Sequence, residues 1–262
     1  MKPLPQITSL SNPLVKQARA LRQRKHRVET GAFLVEGLHH IGEALEAGWE
    51  VDWLLYTAEM LGSGFGLELI HQSMDGPIRL QPVSAAIMES LAEKDNPQGL
   101  LAIVRQKHTG FEVLSASLPV VALVSPQDPG NVGTILRTID AVGAGGLLLV
   151  DSTLDFFHPA VIRASMGSCF WKPVVQCTFQ AFLNWASDQG RELIGTSAHA
   201  HKDYRNYTAP GLWALVMGNE QKGLSEDFLQ ACDARLSLPM HGRVSSLNLA
   251  VATGILLYHL CK

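Results

Sequence analysis

From Pro119 to the C-terminus the sequence alternates apolar runs of strand length with amphipathic runs of helix length, and few folds accept that alternation. PVVALVS (119–125), GGLLLVDS (145–152), KPVVQCTF, RELIGTSAH, LWALVMGNE and LSLPM read as six strands. TILRTIDAVGA, HPAVIRASMGS, FQAFLNWASDQ and SEDFLQACDA read as the helices between them. Strands that are apolar along their whole length are buried on both faces, which implies an α/β domain with a mostly parallel sheet flanked by helices. Such sheets bind ligands beyond the carboxyl ends of their strands. The loops beginning at Ser125, Thr196, Gly218 and Leu238 occupy those ends.

The last of these loops leads into an apolar helix ending near Leu260, opened by Ser246-Leu247-Asn248. Ser and Asn at a helix start are caps that satisfy free N–H groups. A helix N-terminus also suits electron-rich ligands, and both readings stand at this point. Leu247 to Leu260 is too short to span a bilayer and reads as a core helix. The loop after the first strand has Gly130 and Gly133, with Asp151 about twenty residues on, as a dinucleotide site would want. It lacks the G-x-G that lets a pyrophosphate approach the backbone, so NAD binding is disfavoured. No G-x-S-x-G elbow and no G-x-x-x-x-G-K-S/T loop is present.

Upstream of Pro119, strands at 31–37, 51–57 and 99–106 alternate with helices, one running to about Ala47 and one carrying Ile87 and Leu91. They predict a smaller α/β domain over residues 1–108 and a linker over 109–118. Asn12 and Pro13 form an N-cap and first helical residue. The helix predicted to follow, to about residue 27, puts Leu14, Ala18 and Leu21 on one stripe and crowds Lys16, Arg19, Arg22, Arg24, Lys25 and Arg27 over the rest. Residues 1–30 hold seven Lys or Arg against one acid, Glu29, a formal +6 in a chain whose net charge is −3. That concentration is either a solvated face or a phosphate-binding one.

The cysteines, Cys169, Cys177, Cys232 and Cys261, form no C-x-x-C pair and read as free thiols of a reducing cytosol. The N-terminus MKPLPQITSL lacks a signal-peptide core, so a cytoplasmic protein with no membrane association is expected. The loop histidines, such as His158, His199, His201 and His241, lack acid or thiol partners at ligand spacing, so no metal site is expected.

Three segments, in order, resemble the SpoU (TrmH) family of SPOUT methyltransferases: DPGNVGTILRT (128–138), LVMGNEQKGLS (215–225) and LPMHGRVSSLNLAVATGILLY (238–258). HPAVIRASMGS (158–168) adds a fourth block, and SNPLVKQARAL and NPQGLLAIV resemble the ribosomal-type RNA-binding domain that often precedes the catalytic domain. The resemblance implies an S-adenosylmethionine-dependent transfer of methyl to a ribose 2′-hydroxyl, with rRNA favoured over tRNA by the N-terminal domain. It implies a SPOUT catalytic domain over 119–262 with a deep trefoil knot at its C-terminal end, and a homodimer formed through that domain.

By the same resemblance Asn131, Arg137, Glu220, Ser246 and Asn248 match the family's catalytic positions. Gly218, Leu238, Met240 and Leu247 match the cofactor pocket, with Thr196, Ser197 and Ala198 as a further wall. Asn219 is also expected at the cofactor; it departs from the small Ser of many members but can still hydrogen-bond. Arg163 and Arg243 are expected on RNA phosphates, or as plain surface charge. An arginine is always protonated, so Arg137 suits gripping a phosphate and steering the hydroxyl better than acting as a base. Bland readings exist for each: Arg137 as a surface residue, Glu220 as a loop acid, Asn131 as a turn residue. A non-catalytic RNA-binding or ribosome-assembly factor of the same fold is the competing function.

Overall fold

A computed structural model describes residues 4–62, 64–74, 76–93, 97–209 and 211–261. Asn96, which opens NPQGLLAIV, lies outside the described residues. The chain divides into two compact units, one comprising the chain up to Lys107 plus Phe157–Phe170, the other His108–Phe156 and the chain from Trp171 on.

The first unit runs α1 (Pro13–Ala20), α2 (Arg24–Thr30), β1 (Ala32–Glu36), α3 (Leu38–Glu46), β2 (Val51–Tyr56), α4 (Gly64–Ser73), β3 (Arg79–Pro82), α5 (Ala85–Leu91) and β4 (Leu100–Arg105). Its sheet has the order β1-β4-β2-β3, with β4 antiparallel to both neighbours and β2 parallel to β3. Val15, Ala18 and Leu21 pack with Ile87, Met88 and Leu91 over Leu34, Leu55, Leu101 and Ile103.

The single basic helix expected to about residue 27 is two helices. Asn12 caps α1, its side chain accepting from Leu14 N at 2.9 Å. The chain leaves the helix at Leu21, re-enters at Arg24, and ends α2 on Gly31 at φ +61°, the left-handed conformation for which glycine is the usual choice. The break turns Arg27 inward. It is 1% exposed, and its guanidinium donates to the carbonyls of Leu21 and Arg22 at 2.7 and 2.8 Å.

The second unit carries β5 (Val120–Val124), α6 (Pro129–Ala141) and β6 (Leu147–Val150). Next, α7 (Pro159–Ser165) and most of α8 (Ser168–Trp171) belong to the first unit. There Phe157 packs on Phe33, and Trp49 Nε1 donates to the Phe170 carbonyl at 2.9 Å. The second unit resumes with β7 (Val174–Cys177), α9 (Phe179–Asp188), β8 (Glu192–Thr196), β9 (Lys202–Asp203), β10 (Trp213–Met217), α10 (Glu226–Ala231), β11 (Ala234–Ser237) and α11 (Leu249–Leu260). Its sheet has the order β7-β6-β5-β10-β8-β11-β9, and each of these pairings is parallel.

β5, β6 and β10 are buried along their whole length, as uniformly apolar strands in a two-sided sheet must be. The two-residue β9 escapes sequence reading for want of length. The stretch before β5 packs on the second unit: Thr109 bridges to Val175, Phe111 stacks on Trp185, and Leu114 is buried. Buried Arg191 clamps it further, donating to the carbonyls of Leu118 and Ser115 at 2.8 and 2.6 Å while lying over the Trp185 ring. Helix α11 packs against α6. No helix among the described residues is long and apolar enough to cross a membrane.

Candidate functional site

Beyond the carboxyl ends of β8, β10 and β11 lies a cavity of about 560 Å³, well within the range of small-molecule sites. Thr196, Ser197 and Ala198 line it after β8, and Gly218, Asn219 and Glu220 after β10. Leu238 and Met240 line it after β11, followed by Ser246, Leu247 and Asn248 before α11. All eight residues expected at a cofactor are thus brought to one cavity, together with three of the five expected at the chemistry.

Gly218 is there because nothing larger fits. A Cβ on it would lie 2.2 Å from the Gly223 carbonyl carbon and 2.3 Å from Leu224 N. The turn from 219 to 223 therefore folds back onto the end of β10. Asn219 and Gly223 exchange backbone hydrogen bonds at 3.1 and 2.9 Å. The Asn219 side chain accepts from Gln221 N and Lys222 N and donates to the Ser125 carbonyl at 2.9 Å. The amide does both jobs at once, accepting through Oδ1 and donating through Nδ2.

A directed chain of hydrogen bonds joins the three loops. The Glu220 carboxylate accepts from Gln127 N at 3.1 Å, Asp128 N at 3.2 Å and Asn131 Nδ2 at 3.2 Å. Asn131 Oδ1 then accepts from Asn248 Nδ2 at 2.9 Å. Asn248 Oδ1 caps α11, accepting from Ala250 N and Val251 N. An ionised carboxylate can only accept, so it fixes the orientation of both amides in turn. Burial alone would raise the Glu220 pKa, but the hydrogen bonds from its own backbone, Asn131, Asp128 and Gln127 outweigh it, and the pKa is lowered. Among the described residues neither Arg137 nor Arg243 is a hydrogen-bond partner of Glu220.

Arg137 stands exposed on α6, a helix capped by Asp128, whose Oδ1 accepts from Gly130 N at 2.7 Å. It does not line the cavity. Arg243 is exposed in the stretch 241–248. Asp151 Oδ1 accepts from Phe179 N at 3.0 Å and so starts α9 rather than facing a ribose.

The arginines expected on RNA in the first unit fare differently. Lys16, Arg24 and Lys25 are exposed, with Lys25 3.8 Å from Glu29. Arg19 reaches Ser90 Oγ, Arg22 donates to the Ala92 carbonyl at 2.7 Å, and Arg163 is ion-paired with Glu93. Arg27 is withdrawn from the RNA-facing set, because its guanidinium is buried on backbone carbonyls.

Several site residues escaped sequence reading. Ser125 adopts φ +46° at the end of β5, which presents its carbonyl to Asn219. Gln127 and Asp128 act through backbone N–H groups, which carry no side-chain signature. Among the described residues no three His, Cys, Asp or Glu side chains gather as a metal would need.

The chain matches known proteins over nearly its whole length. The SpoU rRNA Methylase family matches residues 119–258, and the MRM3-like substrate binding domain matches residues 12–102. The 23S rRNA (guanosine(2553)-2′-O)-methyltransferase RlmP of Bacillus subtilis (strain 168) is 32% identical over 255 residues, covering 97% of this chain and 98% of that one. The AdoMet-bound rRNA methyltransferase from Sinorhizobium meliloti is similar with a TM-score of 0.89 at 35% identity, covering 97% of this chain and 96% of that one. The SpoU methyltransferase AviRb from Streptomyces viridochromogenes, in complex with AdoMet, has a TM-score of 0.86 at 30% identity over 95% of this chain and 97% of that one.

Proposed function

The chain belongs to the SpoU rRNA methylase family, and from that membership we propose that it is an S-adenosylmethionine-dependent enzyme methylating a ribose 2′-hydroxyl of rRNA. The observation that carries the reading is the cavity beyond β8, β10 and β11, walled in part by two of the motif segments, 215–225 and 238–258, to which the third is tied through Asn131. Its residues fit the cofactor. Gly218 leaves backbone bare where a side chain could not stand, Leu238, Met240 and Leu247 offer apolar walls, and Thr196 and Ser197 offer hydroxyls. Bound there, S-adenosylmethionine supplies the electrophilic methyl group.

The chain's own residues then have separable tasks. Asn248 and Asn131, oriented from Glu220, hold the start of α11 beside the cavity and keep Ser246 and Leu247 on its wall. Glu220 is a positioning residue, since a carboxylate with a lowered pKa and three N–H donors is a poor proton acceptor. Arg137 grips the phosphate backbone and steers the hydroxyl, an orientation effect worth several kcal/mol in well-built sites (~7 kcal/mol or more at the extreme). On the first unit, exposed Lys16, Arg24 and Lys25 attract RNA, with Arg243 contacting phosphate on the second. The limits proposed are an RNA-binding domain to residue 108, a linker over 109–118 that packs on the second unit, and a catalytic domain over 119–262, with Phe157–Phe170 grouped with the first. The stretch 238–260 is the threaded end of the trefoil knot.

A homodimer through the knotted domain is supported by α11, on which Val251, Ile255 and Tyr258 stand 52%, 36% and 64% exposed at helical spacing. The four free cysteines suit the cytoplasm. The test is to incubate the purified chain with S-adenosylmethionine and unmodified rRNA or tRNA and map ribose methylation by mass spectrometry. Methylation of one rRNA nucleotide is expected. Methylation of tRNA alone would move the substrate. Absence of calorimetric S-adenosylmethionine binding would make the chain a binding factor instead.

A further inference from the structure

The turn at 219–223 does more than close a wall. Lys222 N is held by Asn219 Oδ1 at 3.1 Å, the turn is closed by the Asn219–Gly223 backbone pair, and Asn219 Nδ2 anchors the whole turn to the Ser125 carbonyl. The Lys222 backbone is therefore fixed at the edge of the cavity, while its side chain is exposed. Among the described residues its ammonium has no hydrogen-bond or ion-pair partner.

Glu220, the acid among the residues that line the cavity, is engaged elsewhere, and so is Asp203 on the neighbouring edge strand. Glu220 is surrounded by N–H donors. Asp203, on the strand next to β11, is chelated by Arg205 at 2.6 to 3.1 Å, and those hydrogen bonds hold its carboxyl down at about 2. Between the lining residues Met240 and Ser245, Arg243 is exposed. A chain of net charge −3 thus carries at the rim of this cavity, on a held stretch of backbone, a cation with no partner among the described residues.

A ribose 2′-hydroxyl lies one carbon from the 3′-phosphodiester. An RNA that puts this hydroxyl into the cavity must bring a phosphate to its rim. Given the methyltransferase reading above, on which this step rests, we propose that Lys222 is a positioning residue that binds the phosphodiester beside the acceptor ribose. A flexible ammonium is a point charge suited to a phosphate whose exact pose varies.

The test compares full-length wild type, Lys222→Gln and Lys222→Arg on the rRNA transcript that the wild type methylates. RNA affinity is measured across a salt series, S-adenosylmethionine affinity by calorimetry, and turnover at varied RNA. Loss of one phosphate contact removes about one released counterion, which at physiological salt weakens RNA binding about fivefold and flattens the log–log salt slope by about 1. Lys222→Gln is expected to show this loss as a raised KM for RNA with S-adenosylmethionine affinity unchanged, and Lys222→Arg to restore it. An unchanged salt slope in Lys222→Gln, with the wild type active, overturns the inference alone. Lost S-adenosylmethionine affinity with the salt slope intact overturns it too, by placing the ammonium on the cofactor's carboxylate. A wild type that methylates no RNA takes down the function reading and this inference with it.

Discussion

Along α1 and α2 most arginines are held by the protein itself, whereas around the cavity it is the acid that is held and the cations that stand free. Arg19, Arg22 and Arg27 all donate to groups of their own unit, and Arg27 does so in full burial. In the second unit Glu220 is enclosed by donors, while Lys222 on the cavity wall and Arg137 and Arg243 outside its lining face solvent. Charge density along a sequence therefore misleads about where charge is available. The stretch with a formal +6 keeps part of it for architecture, and the nearly neutral second half exposes Lys222 where a ligand would sit.

The contrast breaks most sharply at Arg137. If its exposure means work on substrate, Arg137→Ala should lower the rate of methyl transfer about 10²–10³-fold, the scale for losing one charge-stabilising donor. S-adenosylmethionine affinity should stay within about twofold, since Arg137 does not line the cavity. Near-normal turnover in single-turnover assays would return Arg137 to the status of a surface residue. Next in size is Arg27→Ala. It leaves the Leu21 and Arg22 carbonyls without those donors and opens a void under α2, which should cost about 2–4 kcal/mol in chemical denaturation. A stability loss under 0.5 kcal/mol would show that the burial of this guanidinium is not structural.

Glu220 sharpens the other half of the comparison. Its folded pKa is depressed, so its stabilising contribution is present above the ordinary glutamate range and is lost as pH falls through the lowered value. Glu220→Gln puts an amide among N–H donors and should cost about 1 kcal/mol at neutral pH, the low end for bonds to a charged acceptor because the group is half exposed. The difference from wild type in melting temperature should shrink on acidification. A difference independent of pH would mean that the charge on Glu220 does not orient Asn131 and Asn248.

The alternation of β5 to α11 was legible because apolar strands and 3.6-residue periods are local signals, and the all-parallel sheet follows from them. The gap at Leu21–Gln23 was not, since Leu14, Ala18 and Leu21 keep helical spacing up to it and no proline or glycine forces a stop. β3, with Arg79 at its start and Pro82 at its end, has no alternation to detect. Helix α6 begins at Pro129, earlier than the apolar run suggested, because Asp128 caps it and Pro129 opens it. The cavity residues were found through motif resemblance. Their joining through Glu220 to backbone N–H groups at 127 and 128 depends on a loop near ninety positions away in sequence, which no local pattern encodes.

The smallest effect gives the finest test. Arg24 lies three residues before Arg27 on the same helix, but Arg24 faces solvent whereas Arg27 is buried on backbone carbonyls. Arg24→Ala should change stability by less than 0.5 kcal/mol, as exposed substitutions do. It should weaken rRNA binding about fourfold to fivefold at physiological salt and flatten the salt slope by about 1, as loss of one phosphate contact requires. Because the two arginines share a helix, RNA loss without stability loss at Arg24, set against a melting defect at Arg27, would separate contact from architecture within one helix. An unaltered salt slope in Arg24→Ala would make the exposed face of α2 a solvated one, and would leave the cavity rim as the place where this chain meets phosphate.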